Sequence, residues 1–206
     1  MKKTTCFLTL LAAVLAVLVL PSTARAADVY HFRGKTAVAE FYSLDPTGCI
    51  TTSVTVFATE SRYQNPPGSP TSGAAAEVTS YQLNSCTWES LVCGSASFPL
   101  PAGAFDIAGN LASASLNATA DVYDFCGDTT QPVTLAITWT GEGEVSRGNS
   151  RSSYHSPGVH VSYRSSGQNR DAGASGSLTF GGTPLPLENG SGYLANSTSG
   201  TVSNYQ

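Results

Sequence analysis

The chain has 206 residues, of which 12% are charged, and its formal net charge is −4 at pH 7. The first 26 residues hold three of the ten Lys and Arg residues and none of the 14 acids, so the remainder carries 7 − 14 = −7. A surface of that sign repels nucleic acid and anionic membranes, and the sequence contains no run of Lys and Arg to offset it. We therefore expect neither as a partner.

The chain begins with the three parts of a secretory signal peptide. Two lysines precede an uninterrupted apolar run over 6–20, and the small residues of "ARA" at 24–26 form a cleavage site before Ala27. The apolar run is about 15 residues long, short of the roughly 20 that a membrane-spanning helix needs. We expect cleavage of 1–26 as a bacterial-type signal, leaving 27–206 as a single β domain, secreted or periplasmic, with no membrane span.

The next part of the chain alternates between β-branched runs and turn residues. Residues 36–44 are apolar on both faces, which predicts a central strand. Two further runs, at 49–60 and 76–86, flank a connector rich in Pro and Gly over 61–75, and this pattern predicts an antiparallel hairpin. Pairing residue 60 with residue 75 sets Val54 opposite Tyr81.

Outside the predicted signal peptide the chain contains four cysteines, an even number that predicts two disulfides in an exported protein. The spacing of Cys86 and Cys93 is too wide for a zinc knuckle. The hairpin register brings Cys49 next to Cys86, which leaves Cys93 to pair with Cys126. A local Cys86–Cys93 bridge is the rival pairing.

Period-two alternation continues in the second half of the chain. In 111–126 the even positions are small or apolar, which predicts an inward face that includes Cys126. Residues 174–180 and 192–202 supply later strands, and one helical turn is conceivable at "CTWESL", 86–91. Eight to ten strands in all predict an all-β fold: an antiparallel β-sandwich, with a closed β-barrel as the alternative.

The stretch 133–164 contains the candidate catalytic residues. Trp139 is in phase with the apolar positions of its strand and is predicted to be core, whereas Glu142 and Glu144 continue the polar face. A hairpin with its tip near residue 152 places Glu144 opposite His160, and a two-residue slip would place Glu142 there instead. Retaining glycosidases hold two carboxyl groups about 5–5.5 Å apart, so a hydrolase that uses this pair of glutamates is an alternative to a solvated strand face.

The candidate binding residues are aromatic and basic. Trp88 lies between two cysteines, where a stapled loop would display it, and Tyr63, Tyr123 and Tyr154 are expected on an outer surface. The predicted hairpin tip, 146–158, forms a locally basic loop on an acidic protein. Its candidate contact residues are Arg147, Arg151, Tyr154 and His155.

Two metal sites are also hypotheses. Two histidines, His155 and His160, could join Glu144 in a zinc site, although zinc requires further ligands. Asp45, Asp124 and Asp128 lie in turns whose oxygen ligands could hold a structural calcium ion. No other cofactor is expected.

The function favoured by the sequence is that of a secreted, non-catalytic binding module. Its ligand would be an extracellular carbohydrate or a cell-surface protein, contacted through Trp88 and the 146–158 tip. The first alternative is an extracellular glycoside hydrolase that uses Glu142 and Glu144. The second is a secreted protein-binding inhibitor whose reactive element is the connector 61–75.

Overall fold

The computed structural model describes residues 27–65 and 68–205, which contain ten β-strands and no helix. The predicted signal peptide, 1–26, lies outside the described residues. Among those described, no helix is long and apolar enough to cross a membrane. The strands are β1 (Asp28–Leu44), β2 (Ile50–Gln64), β3 (Thr71–Asn84), β4 (Glu89–Pro99), β5 (Phe105–Ile107), β6 (Ser113–Asp124), β7 (Thr129–Gly141), β8 (Ser146–Ser156), β9 (Val159–Phe180) and β10 (Thr183–Tyr205).

The strands pair in the order β10-β1-β2-β3-β4-β6-β7-β9-β8, β5 adds to β6, and β10 also pairs with β9. Every pairing is antiparallel. The ladder between β4 and β6 has only two residue pairs, Gly94 with Asp124 and Ser95 with Tyr123, so the sheet is not a clean barrel. The predicted all-β antiparallel fold is confirmed, and its form is sandwich-like.

One hydrophobic core joins the two halves of the sheet. Trp139 of β7 is 0% exposed, as its phase predicted. Its Nε1–H donates to the Val38 carbonyl oxygen of β1 at 2.9 Å. Because β9 and β10 separate these two strands within the sheet, the bond crosses the core between facing layers. The central position predicted for 36–44 is confirmed, since β1 lies between β10 and β2.

Strands β9 and β10 are 22 and 23 residues long, and only part of each packs on the core. Two glycines with positive φ, Gly181 (56°) and Gly182 (85°), form the tight turn that joins them. Beyond the core the sheet continues as a single layer that we call the extension. It consists of 28–36, 59–64, 146–156, 159–170 and 195–205. None of its described hydrophobic side chains is buried.

The predicted hairpin tip at 146–158 is wrong. These residues include strand β8, which follows β7 along the same side of β9, and the reversal occurs at Pro157 and Gly158. His160 therefore lies opposite His155 rather than Glu144. The strand was missed because every residue of β8 except the last is exposed. No position has to be apolar to fit a core, so the sequence of β8 shows no apolar alternation.

The register of the β2–β3 hairpin differs by one residue from the prediction. Val54 lies opposite Ser80, and Tyr81 lies opposite Ser53. A slip of one residue exchanges the two faces of a strand, and the observed register buries both Val54 and Ser80 while leaving Tyr81 exposed. The strands also extend into the predicted connector 61–75, leaving only residues 65–70 between them.

Both predicted disulfides, Cys49–Cys86 and Cys93–Cys126, are present, with Cα–Cα distances of 5.2 and 5.3 Å. The first forms despite the register error because its cysteines lie just beyond the ends of β2 and β3. The predicted inward orientation of Cys126 is wrong: that residue is exposed after β6, and only Cys93 is buried. The conceivable helical turn at 86–91 is absent, since residues 85–88 form a non-helical turn before β4.

Candidate functional site

Every Lys and Arg residue that the structure describes lies on one face of the sheet. On β1 the buried Ala37 and Ala39 lie on the core side of the strand. Side chains at every second position share a face, so Lys35, Arg33 and His31 lie on that same side farther along β1. The same phase holds for the remaining cations across the ladder: Arg62 on β2, Arg147 and Arg151 on β8, and Arg164 and Arg170 on β9. We call these seven Lys and Arg residues and their surface the basic face.

Four residues of the basic face, Arg33, Arg62, Arg151 and Arg164, line a groove of about 820 Å³ in the extension, and Lys35, Arg147 and Arg170 lie outside its lining. Arginines lie on both sides of β10 in the groove, Arg164 on β9 and Arg33 on β1. The floor on β10 is uncharged and includes Thr198 and Gly200. The groove is open to solvent and can receive an extended chain.

Two pairs of arginines face each other directly across neighbouring strands. Arg33 is opposite Arg62, and Arg151 is opposite Arg164. Like charges in this position destabilise an antiparallel pair. Lys35 Nζ lies 3.4 Å from Glu60 Oε2, but no arginine in the described chain has a carboxylate oxygen within 4.0 Å. The positive charge of the arginine pairs is therefore not neutralised by the described part of the protein.

The acidic residues of the molecule lie almost entirely elsewhere. The extension contains two carboxylates, Asp28 and Glu60, and only Glu60 is in phase with the basic face. A chain of negative net charge thus presents a positive groove, because positions far apart in sequence meet in the register of the sheet. The expectation that nucleic acid is not a partner stays a prediction, but net charge no longer supports it.

The predicted contact residues divide between the two faces of β8. Arg147, Arg151 and His155 belong to the side of the basic face. Tyr154 alternates to the opposite side and is 63% exposed. It lies there with Tyr63 and Tyr163, so the structure separates the aromatic contacts from the basic ones.

Trp88 lies at the other end of the molecule. It is 81% exposed in the turn before β4, with a φ of 60°, so its predicted display is confirmed. Strand β2 runs from Ile50 near this turn to Gln64 in the extension, a distance of about 45 Å at the usual strand rise. Trp88 is therefore not part of the same site as the basic face.

The candidate catalytic pair lies in the segment between β7 and β8. Glu142 and Glu144 are both exposed, as the solvated-face hypothesis predicted. The backbone N–H of Glu142 donates to the Asp171 carbonyl oxygen at 2.6 Å. Neither glutamate lines the groove of the basic face.

The histidines of the predicted zinc site form a cross-strand pair. The ring centroids of His155 and His160 are 5.7 Å apart. The observed register places Glu144 outside this pair, before β8 begins. In the described ranges, no cluster of three or more His, Cys, Asp or Glu side chains is arranged to hold a metal ion.

The calcium candidates are acceptors within their own turns. Asp45 Oδ1 accepts hydrogen bonds from the backbone N–H groups of Cys49 and Ile50, at 2.9 and 2.8 Å. Asp124 Oδ1 accepts from Cys126 N at 3.1 Å. Asp128 accepts from the Tyr123 hydroxyl, which raises the pKa of Tyr123 above its usual value. Asp45 lies in the β1–β2 turn, whereas Asp124 ends β6 and Asp128 lies in the β6–β7 turn.

We expect Asp45→Asn to weaken the acid dependence of thermal stability. Hydrogen bonds from the Thr47 hydroxyl, and from the backbone of Ile50 and Cys49, lower the pKa of Asp45 below 3.8. A lowered folded-state pKa gives stability that is present above the unfolded value and is lost as pH falls through the folded value. Melting temperatures measured by circular dichroism from about pH 6 to about pH 2 test this.

The matched control is Asp121→Asn, which removes an exposed carboxylate from β6 without altering a turn. If Asp45→Asn and wild type lose stability in parallel as the pH falls, the Asp45 turn makes no contribution to acid unfolding.

The most basic part of the groove was not predicted from the sequence. Arg33, Arg62 and Arg164 were not candidate residues, yet each belongs to one of the opposed pairs. A signal was present on β1, where His31, Arg33 and Lys35 occur at every second position before the inward Ala37. The partners on β2, β8 and β9 required the register, which the sequence does not specify.

No protein-family model matches the chain, and no curated protein matches it. A solved structure from Nitrosomonas europaea, described as a putative AttH, is similar to the chain with 14% sequence identity and a TM-score of 0.35. The match covers 86% of this chain and 52% of that one, so the chain spans about half the length of that structure. A likeness at this level carries no argument about function.

Proposed function

We propose that the protein is an exported, non-catalytic binding module and that its basic face binds an acidic carbohydrate. The observation that carries the proposal is the gathering of all seven described Lys and Arg residues on one face. Two opposed arginine pairs without carboxylate partners destabilise the sheet. A ligand with negative groups would neutralise them.

The uncharged side chains of the groove favour a sugar over a nucleic acid. Ser166 and Thr198 have their hydroxyl oxygens 2.7 Å apart, and Asn149 and Gln64 line the same groove. Such groups can hydrogen-bond to sugar hydroxyls. Phe32 borders the groove but alternates to the opposite side of β1, and in the described extension no Phe, Tyr or Trp is in phase with the basic face. Proteins that bind single-stranded nucleic acid stack bases on aromatic rings.

Binding is also favoured over hydrolysis by the carboxylates available. A glycosidase usually needs two carboxyl groups across the bond that it cuts. In the described chain, the basic face contains Glu60 alone, and Lys35 forms a salt bridge with it. Glu142→Gln in a purified protein tests the alternative directly, because a hydrolase would lose activity while remaining folded.

Two disulfides support export, since they persist in oxidising compartments outside the cytosol. We propose cleavage after residue 26 and a location that is extracellular or periplasmic. Mass spectrometry of the protein from its native host should find Ala27 as the first residue and four oxidised cysteines. An intact residue 1 in the folded, oxidised protein would contradict cleavage.

The binding proposal is tested by affinity electrophoresis. The protein should be retarded by polygalacturonate or dextran sulfate and not by neutral dextran, and added salt should weaken the retardation because it screens exposed charges. Arg151→Gln with Arg164→Gln should reduce the retardation. Equal mobility in all gels contradicts the proposal, as does stronger retention by single-stranded DNA than by either acidic polysaccharide.

A further inference from the structure

We infer that the basic face contains two separate anion subsites, one at each arginine pair, which together hold an oligosaccharide with two spaced oxyanionic groups. Arg33 and Arg62 form the first subsite, and Arg151 and Arg164 form the second. This inference rests on the proposed function, to which it adds the spacing of charge that the ligand must have.

The two pairs are separated by a fixed distance in the sheet. Strand β10 alone lies between β9 and β1. Arg164 is opposite Gly200, whereas Arg33 is opposite Thr198, so the pairs are also offset by two residues along the strands. Two strand spacings of about 4.8 Å and that offset place the Arg164 and Arg33 Cα atoms about 12 Å apart.

The surface between the pairs is neutral and hydrogen-bonding. Thr198 and Gly200 lie on β10 within the groove, and the Thr198 hydroxyl is 2.7 Å from that of Ser166. A Cβ atom on Gly200 would meet its nearest neighbour, His31 Nδ1 on β1, at 3.5 Å, so Gly200 leaves the floor open beside the His31 ring. An uncharged, hydroxyl-bearing sugar unit matches this strip, with negative groups at both ends.

Each subsite has the chemistry of an oxyanion receptor. A guanidinium group presents a planar fork of N–H donors that matches carboxylate, sulfate or phosphate oxygens. Two forks on adjacent strands can hold one such group between them. All four arginines are exposed, and none has a carboxylate within 4.0 Å in the described residues, so their donors are available to a ligand.

The test uses oligogalacturonates of increasing length and sulfated oligosaccharides of the same lengths, titrated calorimetrically into the disulfide-bonded protein. Affinity should rise by about tenfold or more at the length that first spans both pairs, because the second contact becomes intramolecular. Arg33→Gln with Arg62→Gln should return the long oligomers to the affinity of the short ones. Arg151→Gln with Arg164→Gln should have the same effect. The series with the larger step identifies whether carboxylate or sulfate is preferred.

The matched control is Lys35→Gln with Arg147→Gln, which removes the same net charge from the same face but leaves both pairs intact. This control should weaken the binding of oligomers of every length and preserve the rise in affinity at the length that spans both pairs. A smooth rise without a step, or loss of the step in this control, overturns the two subsites and leaves the proposed function standing. Failure to bind any acidic oligomer overturns both.

Discussion

Arg164→Glu is expected to lower the affinity for an acidic glycan by about 100-fold while making the fold more stable. The affinity falls because the substitution removes one guanidinium and adds a repelling carboxylate, a change of about 2.7 kcal/mol in binding free energy. The stability rises because the introduced carboxylate would lie opposite Arg151, replacing a like-charge pair with an opposite-charge pair. Such exchanges amount to about 0.2–1 kcal/mol in exposed sheets.

Opposite signs in the two measurements distinguish a binding role from a structural one. Calorimetry gives the affinity, and urea unfolding gives the free energy of unfolding with its denaturant slope. Arg164→Gln is the control, since it removes the charge without reversing it, and both effects should be smaller. A variant that loses binding and stability together would show that Arg164 supports the fold and is not a ligand contact.

The parts of the fold that the sequence predicted are those where one strand face is buried. The alternation around Trp139 and in 111–126 identified inward residues because contact with the core constrains every second position. Both disulfides were predicted for a related reason, since the apolar face of the β2–β3 hairpin limits its register to within one residue.

The extension could not be predicted in the same way. Neither face of β8 is buried, so its residues retain no period, and the strand resembled a loop. The basic face depends on register, because Arg164 meets Arg151 and Arg33 meets Arg62 only through pairing between strands. Net charge also did not indicate the basic face, since the sum of charges over the chain is the same whether the cations are dispersed or lie together.

Burial constrains the residues of the core but not those of the extension, and this difference also explains where binding can occur. Core residues such as Trp139 fix the positions of β1, β9 and β10, and those strands continue outward as the extension. Arg33, Arg62 and Arg164 therefore lie on strands whose other ends pack in the core, and Arg151 lies on β8, which is held by its pairing with β9. Unfavourable like-charge contacts persist in the extension because the core supplies the stability of the fold.

Trp139→Ala is expected to lower the free energy of unfolding by about 3–5 kcal/mol, because truncating a fully buried Trp leaves a cavity and loses its packing. It also removes the donor to the Val38 carbonyl. The free energy of unfolding of a native protein is usually about 5–15 kcal/mol, so this loss is a large part of the total stability. Urea unfolding measures the loss, and the folded variant should emit only the red-shifted fluorescence of exposed Trp88, the other of the two Trp residues.

Trp139→Phe is the matched control, since it keeps an aromatic ring but lacks the N–H that bonds Val38. Its loss of stability should lie between wild type and Trp139→Ala, because the smaller cavity leaves mainly the missing hydrogen bond. At a temperature where both variants are folded, their affinity for an acidic glycan should match wild type, since Trp139 does not line the groove. A loss below about 1 kcal/mol for Trp139→Ala would mean that this side chain does not fill the space between the two layers, and that other contacts align β1 with β7.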